Sequence, residues 1–203
     1  TYASANAQAW GAAGYAPAAR SAPPAERSLT LPSGATLKAA GDWEVTESKD
    51  GLTLHFLYED KEEIRPTWER APEVMDKVFD FVNKHCGQYP YRSYSFIQGG
   101  DGGMEYPMAT LLVGPGAWLH EWLHNWYHGV LGTNESLYGW MDEGFTTYAE
   151  DRADAFLRNS TAFAFDGTYR SYFSLAKSGK EEPLSTHADH YNTNAAYSPA
   201  VYS

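Results

Sequence analysis

His120-Glu121-Trp122-Leu123-His124 is the stretch of this chain whose residue types and spacing most directly imply chemistry. On an α-helix, positions i and i+4 lie on one face, so both imidazoles can point at one ion. Glu121, one step round, can reach a water on that ion without ligating it, the arrangement in which a Glu acts as general base of a metallopeptidase. A third ligand is on offer at Glu143, in Trp140-Met141-Asp142-Glu143-Gly144-Phe145, with 18 residues between it and His124. That interval lets one helix end at Gly129 or Gly132, a loop turn, and a second helix return a carboxylate. Two His and one Glu leave zinc's fourth position open, as catalytic sites do and closed structural sites do not. Many structural zinc sites use thiolates, and Cys86 is the single cysteine.

Around this set, each residue has a plainer reading to weigh. A lone His in an aromatic-rich helix is more often a hydrogen-bonded core residue than a ligand; the combination with Glu121 and Glu143 is what argues for metal. Trp118, Trp122 and Trp126, at spacing four, read as core packing rather than substrate stacking. His128 continues the ladder, but as a fourth ligand it would close the site, so it reads as a neighbour of the site or surface. Asp142 and Glu150 either orient a ligand His through its other ring nitrogen or are ordinary surface carboxylates of a helix.

The elements that must position these residues follow from periodicity. Leu52, Leu54, Phe56 and Tyr58 alternate as in a strand. Ala71 to Cys86 reads as a helix, with Pro72 in its first turn, an apolar stripe from Val74 to Val82, and Gly87 closing it. Ser93–Gln98 and Met108–Val113 are short β-prone runs, with the loop Gly99–Gly103 between them. Helices are expected over Ala117–His128, from about Trp140 to Leu157, and within Ala162–Ala176. His187 to Ser203 reads as loop. Strands first and helices after predict an α+β unit with segregated layers, a small mixed or antiparallel sheet followed by the helices that carry the zinc site.

Composition narrows the function classes. Lys and Arg number 15 against 26 Asp and Glu, so the formal charge is 15 − 26 = −11 over 203 residues. An excess of this sign argues against a protein that tracks nucleic-acid phosphates. It suits a cationic ligand or metal, though most of it reads as solvated surface; seven of the acids, Glu121, Glu135, Asp142, Glu143, Glu150, Asp151 and Asp154, fall between His120 and Ala155, opposed only by Arg152. No run approaches the roughly 20 apolar residues of a membrane span. No residue pattern fixes the oligomeric state. The compartment is equally open, with a lean to a periplasmic or secreted location.

His120-Glu121-x-x-His124, the 18-residue interval and Trp140-Met141-Asp142-Glu143-Gly144-Phe145 together resemble the gluzincin peptidases, specifically the M1 family of zinc aminopeptidases. That family also carries a Gly-x-Met-Glu-Asn segment upstream, and this chain has Gly102-Gly103-Met104-Glu105-Tyr106. The resemblance implies a thermolysin-like zincin catalytic domain with one zinc ion held by His120, His124 and Glu143. Glu105 would bind the free α-amino group of a peptide substrate, and Gly102, Gly103 and Met104 would line the peptide. The family uses a downstream Tyr to donate a hydrogen bond to the oxyanion. Among Tyr191, Tyr197 and Tyr202, the Val201-Tyr202-Ser203 context favours Tyr202, with Tyr197 as the fallback.

The chain departs from the family pattern in two places. Tyr106 stands where Asn is usual, and the interval from Glu105 to His120 is short, so that either the loop at Gly114-Pro115-Gly116 is tightened or residues are absent there; we expect the second. Residues 1–41, rich in Ala, Gly, Pro and Ser, read as a linker or the remnant of a β-rich N-terminal domain, and 42–203 as the catalytic domain, truncated at its C-terminus. The expected activity is hydrolysis of the N-terminal peptide bond with Glu121 as general base. A gluzincin endopeptidase and a zinc-retaining but inactive peptide-binding module are the alternatives.

Overall fold

The computed structural model describes residues 27–30, 36–40, 44–49, 52–59, 61–100, 102–160 and 165–203, the first three segments by their backbone alone. Among the described residues, seven strands form one mixed sheet. They are β1 (Arg27–Thr30), β2 (Thr36–Ala40), β3 (Glu44–Lys49), β4 (Leu52–Leu57), β5 (Ser93–Gln98), β6 (Gly103–Tyr106) and β7 (Ala109–Leu112), in the spatial order β1-β2-β3-β4-β5-β7-β6. The first four pair antiparallel; β4 with β5, and β5 with β7, pair parallel; β6 closes the sheet antiparallel to β7 as an edge strand. β1 and β2 fall within residues 1–41, and the Ala- and Pro-rich stretch ahead of them lies outside the described residues.

The alternation expected from Leu52 to Tyr58 reappears as burial, with Leu52, Leu54, Phe56 and Tyr58 all turned into the core. The parallel step from β4 to β5 is made by α1 (Arg65–Trp68) and α2 (Ala71–Cys86), which cover one face of the sheet. Met75, Val78, Phe79 and Val82 form the buried stripe of α2, and its end at Gly87 has φ +106°, a value glycine adopts readily. The register sets Phe56 beside Phe96, their rings stacked 5.0 Å apart. Edge strand β6 was not expected; Gly103 opens a strand rather than completing the glycine loop.

From β7 the chain passes through Val113, Gly114 and a tight turn at Pro115–Ala117 directly into α3 (Trp118–His124). Trp122 and Trp126 are buried, 4.9 Å apart and edge to face, as expected of core packing, and Trp126 donates its indole N–H to the Gly87 carbonyl at 2.8 Å. The helix does not run evenly to His128. Beyond His124 it widens over Asn125–Val130, where the Asn125 amide donates to the Trp122 carbonyl at 2.7 Å, and the Leu131 N–H reaches back five residues to Trp126. Gly132, at φ +63°, ends it.

A second wide turn, Trp140–Gly144, runs into α4 (Phe145–Leu157), and α5 (Asp166–Ser178) follows. The loop expected from His187 onward is corrected: Asn194–Val201 forms a helix, α6. Ala196 and Ala200, one turn apart, bury against Leu175 of α5, and that packing outweighs Pro199, which removes one backbone donor from a short helix. Among the described residues no helix is long and apolar enough to cross a membrane.

Candidate metal centre

α3 and the Trp140–Gly144 turn bring His120, His124 and Glu143 together. His120 Nε2 lies 3.0 Å from Glu143 Oε2 and 3.2 Å from His124 Nε2, and the third side of the triangle, His124 Nε2 to Glu143 Oε2, is 3.4 Å. The other ring nitrogens fix the tautomers. His120 Nδ1 is 2.8 Å from Glu150 Oε2, and His124 Nδ1 is 2.7 Å from Asp142 Oδ1. Ionised carboxylates only accept, so each Nδ1 carries a hydrogen, and in the neutral imidazole each Nε2 turns a lone pair into the triangle. Of the two readings open for Asp142 and Glu150, the geometry places both against the imidazoles of His124 and His120.

Three electron-pair donors converging at this distance repel unless a cation lies among them or protons on the imidazoles take its place. A tetrahedral ion with bonds of about 2.0–2.1 Å spaces its ligand atoms about 3.3 Å apart, close to the sides of 3.0, 3.2 and 3.4 Å. The residues therefore fit a zinc ion. Helical spacing explains the support: Asp142, Thr146 and Glu150 recur every four residues on the face turned to α3. Thr146, unread in the sequence, is fully buried with its hydroxyl 3.3 Å from His124 Nδ1.

Electrostatics without the ion reflect the same crowding. Burial disfavours charge on both imidazoles, but their carboxylate partners outweigh it and raise His120 to about 9 and His124 to about 10. Burial likewise pushes Glu143 up, and the hydrogen bonds from His120 and His124 hold it at about 2. Glu121 differs. It is buried, its Oε2 has no hydrogen-bond partner among the described residues, and burial, opposed by His120, lifts its pKa to about 7. Its backbone carbonyl accepts from the buried Tyr94 hydroxyl at 3.1 Å.

The β6 residues border this centre. Carboxylate oxygens of Glu105 and Glu121 and a ring nitrogen of His124 all lie within 4.8 Å of one another. Burial raises the Glu105 pKa, with His124 opposing. Gly103 sits against Glu121, whose carboxylate a Cβ at position 103 would strike. Gly102 and Met104 are exposed on the same edge, and the fully buried Thr110 donates its hydroxyl to the Met104 carbonyl at 2.9 Å. Tyr106, at the end of the strand, is exposed.

Of the three candidate tyrosines, Tyr202 reaches the centre. Its ring stacks on His120 at 5.8 Å and 18°, with its hydroxyl beside the Glu143 carboxylate; burial and that carboxylate push the phenol well above its ordinary range. Tyr197 packs its hydroxyl towards Gly139 instead, and burial moves it up to about 12. Tyr191 donates to the Pro183 carbonyl at 3.3 Å, away from the imidazoles. His128 stays at the margin, its Nδ1 3.4 Å from Glu135 Oε2.

No protein-family profile matches this chain. No curated protein sequence matches it either. Solved structures do match. Yeast LTA4 hydrolase superposes with a TM-score of 0.52 at 17% identity, over 82% of this chain and 29% of that one. A mutant M1 zinc metallopeptidase from Deinococcus radiodurans superposes with a TM-score of 0.54 at 16% identity, over 88% of this chain and 47% of that one. The chain thus spans 29% and 47% of the lengths of these two structures. At such identity the likeness is one of fold: a mixed α+β unit resembling part of the M1 peptidases.

Proposed function

We propose that this chain carries the thermolysin-like catalytic core of a zinc aminopeptidase of the M1 type. The observation that carries the reading is the triangle of His120, His124 and Glu143 donors, with Glu121 buried beside it and its Oε2 without a hydrogen-bond partner among the described residues. Zinc, when bound, would supply Lewis acidity, polarising a peptide carbonyl and easing deprotonation of a water.

The chain's own residues do the rest. Glu121, with a pKa near 7, is matched to taking the proton of the attacking water and returning it to the leaving amine. Glu105 stands close enough to pair with a substrate ammonium while the first peptide bond lies over Glu121. Gly103, with no side chain, leaves space beside Glu121 for the peptide backbone. Tyr202 keeps its proton at neutral pH and can donate it in a hydrogen bond to the oxygen that gains charge. The substrate is accordingly a peptide with a free N-terminus.

The test compares free and N-acetylated peptides with the zinc-loaded protein. About one zinc per chain, release of N-terminal residues, loss of turnover on chelation and rejection of blocked peptides are expected. Equal cleavage of blocked and free peptides would point to the endopeptidase instead, and zinc binding without any hydrolysis to the inactive module.

A further inference from the structure

The turn that carries Glu143 is bracketed by two glycines in helical backbone, Gly139 at φ −51°, ψ −32° and Gly144 at φ −68°, ψ −44°. Any residue adopts those angles, and glycine is among the poorest helix formers, so neither position needs glycine for its backbone. What both supply is room. A Cβ at Gly144 would come within 2.9 Å of the Val201 carbonyl oxygen, a backbone atom at the end of α6. A Cβ at Gly139 would stand 3.3 Å from the Tyr197 hydroxyl and 3.3 Å from Val201 Cγ1. α6 therefore rests directly on the ligand-bearing turn. The residue after Val201 is Tyr202, whose ring lies on His120 and whose hydroxyl meets Glu143.

We propose that Gly144, supported by Gly139, is a positioning residue: its missing side chain seats α6 on the Glu143 turn, and the seat sets where the Tyr202 hydroxyl stands. The inference rests on the reading of Tyr202 as a hydrogen-bond donor in catalysis. Backbone does not yield as a flexible side-chain tip does, so a methyl group at 144 displaces the end of α6. Glu143 keeps its hold on both imidazoles through its contacts to α3, and the contact that a displaced α6 withdraws from it is that of the Tyr202 hydroxyl.

The seat is read first without activity. The Tyr202 ring stacked on His120 shifts the carbon-bound imidazole protons of His120 by its ring current. In the zinc-loaded protein, Gly144→Ala should move those resonances towards their positions in Tyr202→Ala; unmoved resonances would overturn the proposal. Kinetics on a peptide with a free N-terminus then give a second reading. Tyr202→Phe should lower kcat about 100-fold, as loss of one oxyanion donor does. Gly144→Ala should lower kcat about tenfold with zinc affinity kept within about threefold, and the double variant should fall no further than Tyr202→Phe alone. Losses that multiply in the double variant would overturn the proposal. Wild-type kcat in Tyr202→Phe, with the His120 resonances still displaced by Gly144→Ala, would remove the catalytic role of Tyr202 and leave the seat standing. Should Gly144→Ala fail to fold, Gly139→Ala, whose neighbours need yield only slightly, should move the His120 resonances in the same direction by less, and no movement there would overturn it.

Discussion

His120, His124, Asp142, Glu143 and Thr146 make the floor of the site, and every one is buried with a polar partner. Met104, Tyr106 and Tyr202 make its rim and remain 46%, 49% and 36% exposed. On the floor the contacts run from α3 to Asp142, Glu143, Thr146 and Glu150, so under the proposed function a change there should reach the metal through the triangle. On the rim a residue is held by one strand edge or one helix end, so under the proposed function a change there should alter substrate contact more than metal affinity. Glu121 belongs to the floor by burial and to the rim by contact, since it lies against Gly103 and close to Glu105.

That double membership makes Glu121→Gln the largest expected effect. The amide keeps the shape but cannot take a proton, so turnover should fall by about 10³-fold while zinc stoichiometry holds. Normal turnover in this variant would sink the general-base role. Asp142→Asn comes next. It weakens the acceptor that fixes the His124 tautomer, and zinc affinity should fall about 10- to 100-fold, read by competition with a chelator of known affinity. A loss of turnover in saturating zinc with affinity intact would show that the floor acts on substrate and break the division. Proton linkage tests the same floor without mutation. Below about 9 to 10 the metal-free imidazoles hold extra protons that zinc must displace. Zinc affinity should therefore weaken as pH falls from 8 to 6, with about one or two protons released per ion; calorimetry in buffers of different ionisation heat measures this, and no release would contradict the triangle.

The same division governs how much was legible in the sequence. The floor follows helical spacing: His120 and His124 are four apart, as are Asp142, Thr146 and Glu150, so ligands and their supporters share faces whatever the distant chain does. Thr146 could have been found from that spacing, one turn beyond Asp142. The rim depends on register between strands far apart in sequence. Glu105 faces Thr110 across β6 and β7, and nothing local in Gly102–Tyr106 marks an edge strand, because glycines suggest a turn more strongly than Met104 and Tyr106 suggest a strand. Tyr94 meets Glu121 for the same long-range reason. α6 was missed because Tyr, Asn and Pro199 depress helix propensity, while the gain comes from Ala196 and Ala200 packing on α5, which no local pattern reports.

Thr110→Val gives the smallest effect and the finest test of where the rim ends. The Thr110 hydroxyl has one hydrogen and two carbonyls in reach, Met104 at 2.9 Å and Leu111 at 3.4 Å, and the shorter contact is the bond. Valine fills the same volume and leaves the Met104 carbonyl without that donor, at a cost of about 1 kcal/mol. Met104 neighbours Glu105, so the loosened strand edge should raise KM for a free-amino peptide about fivefold, the equivalent of that energy. Zinc stoichiometry and kcat should not change, and Thr110→Ser, which restores the hydroxyl, should recover KM. A fall in kcat or in zinc affinity would mean that Thr110 supports the floor through Glu121, and the boundary between the two regions would then run through β7 rather than along β6.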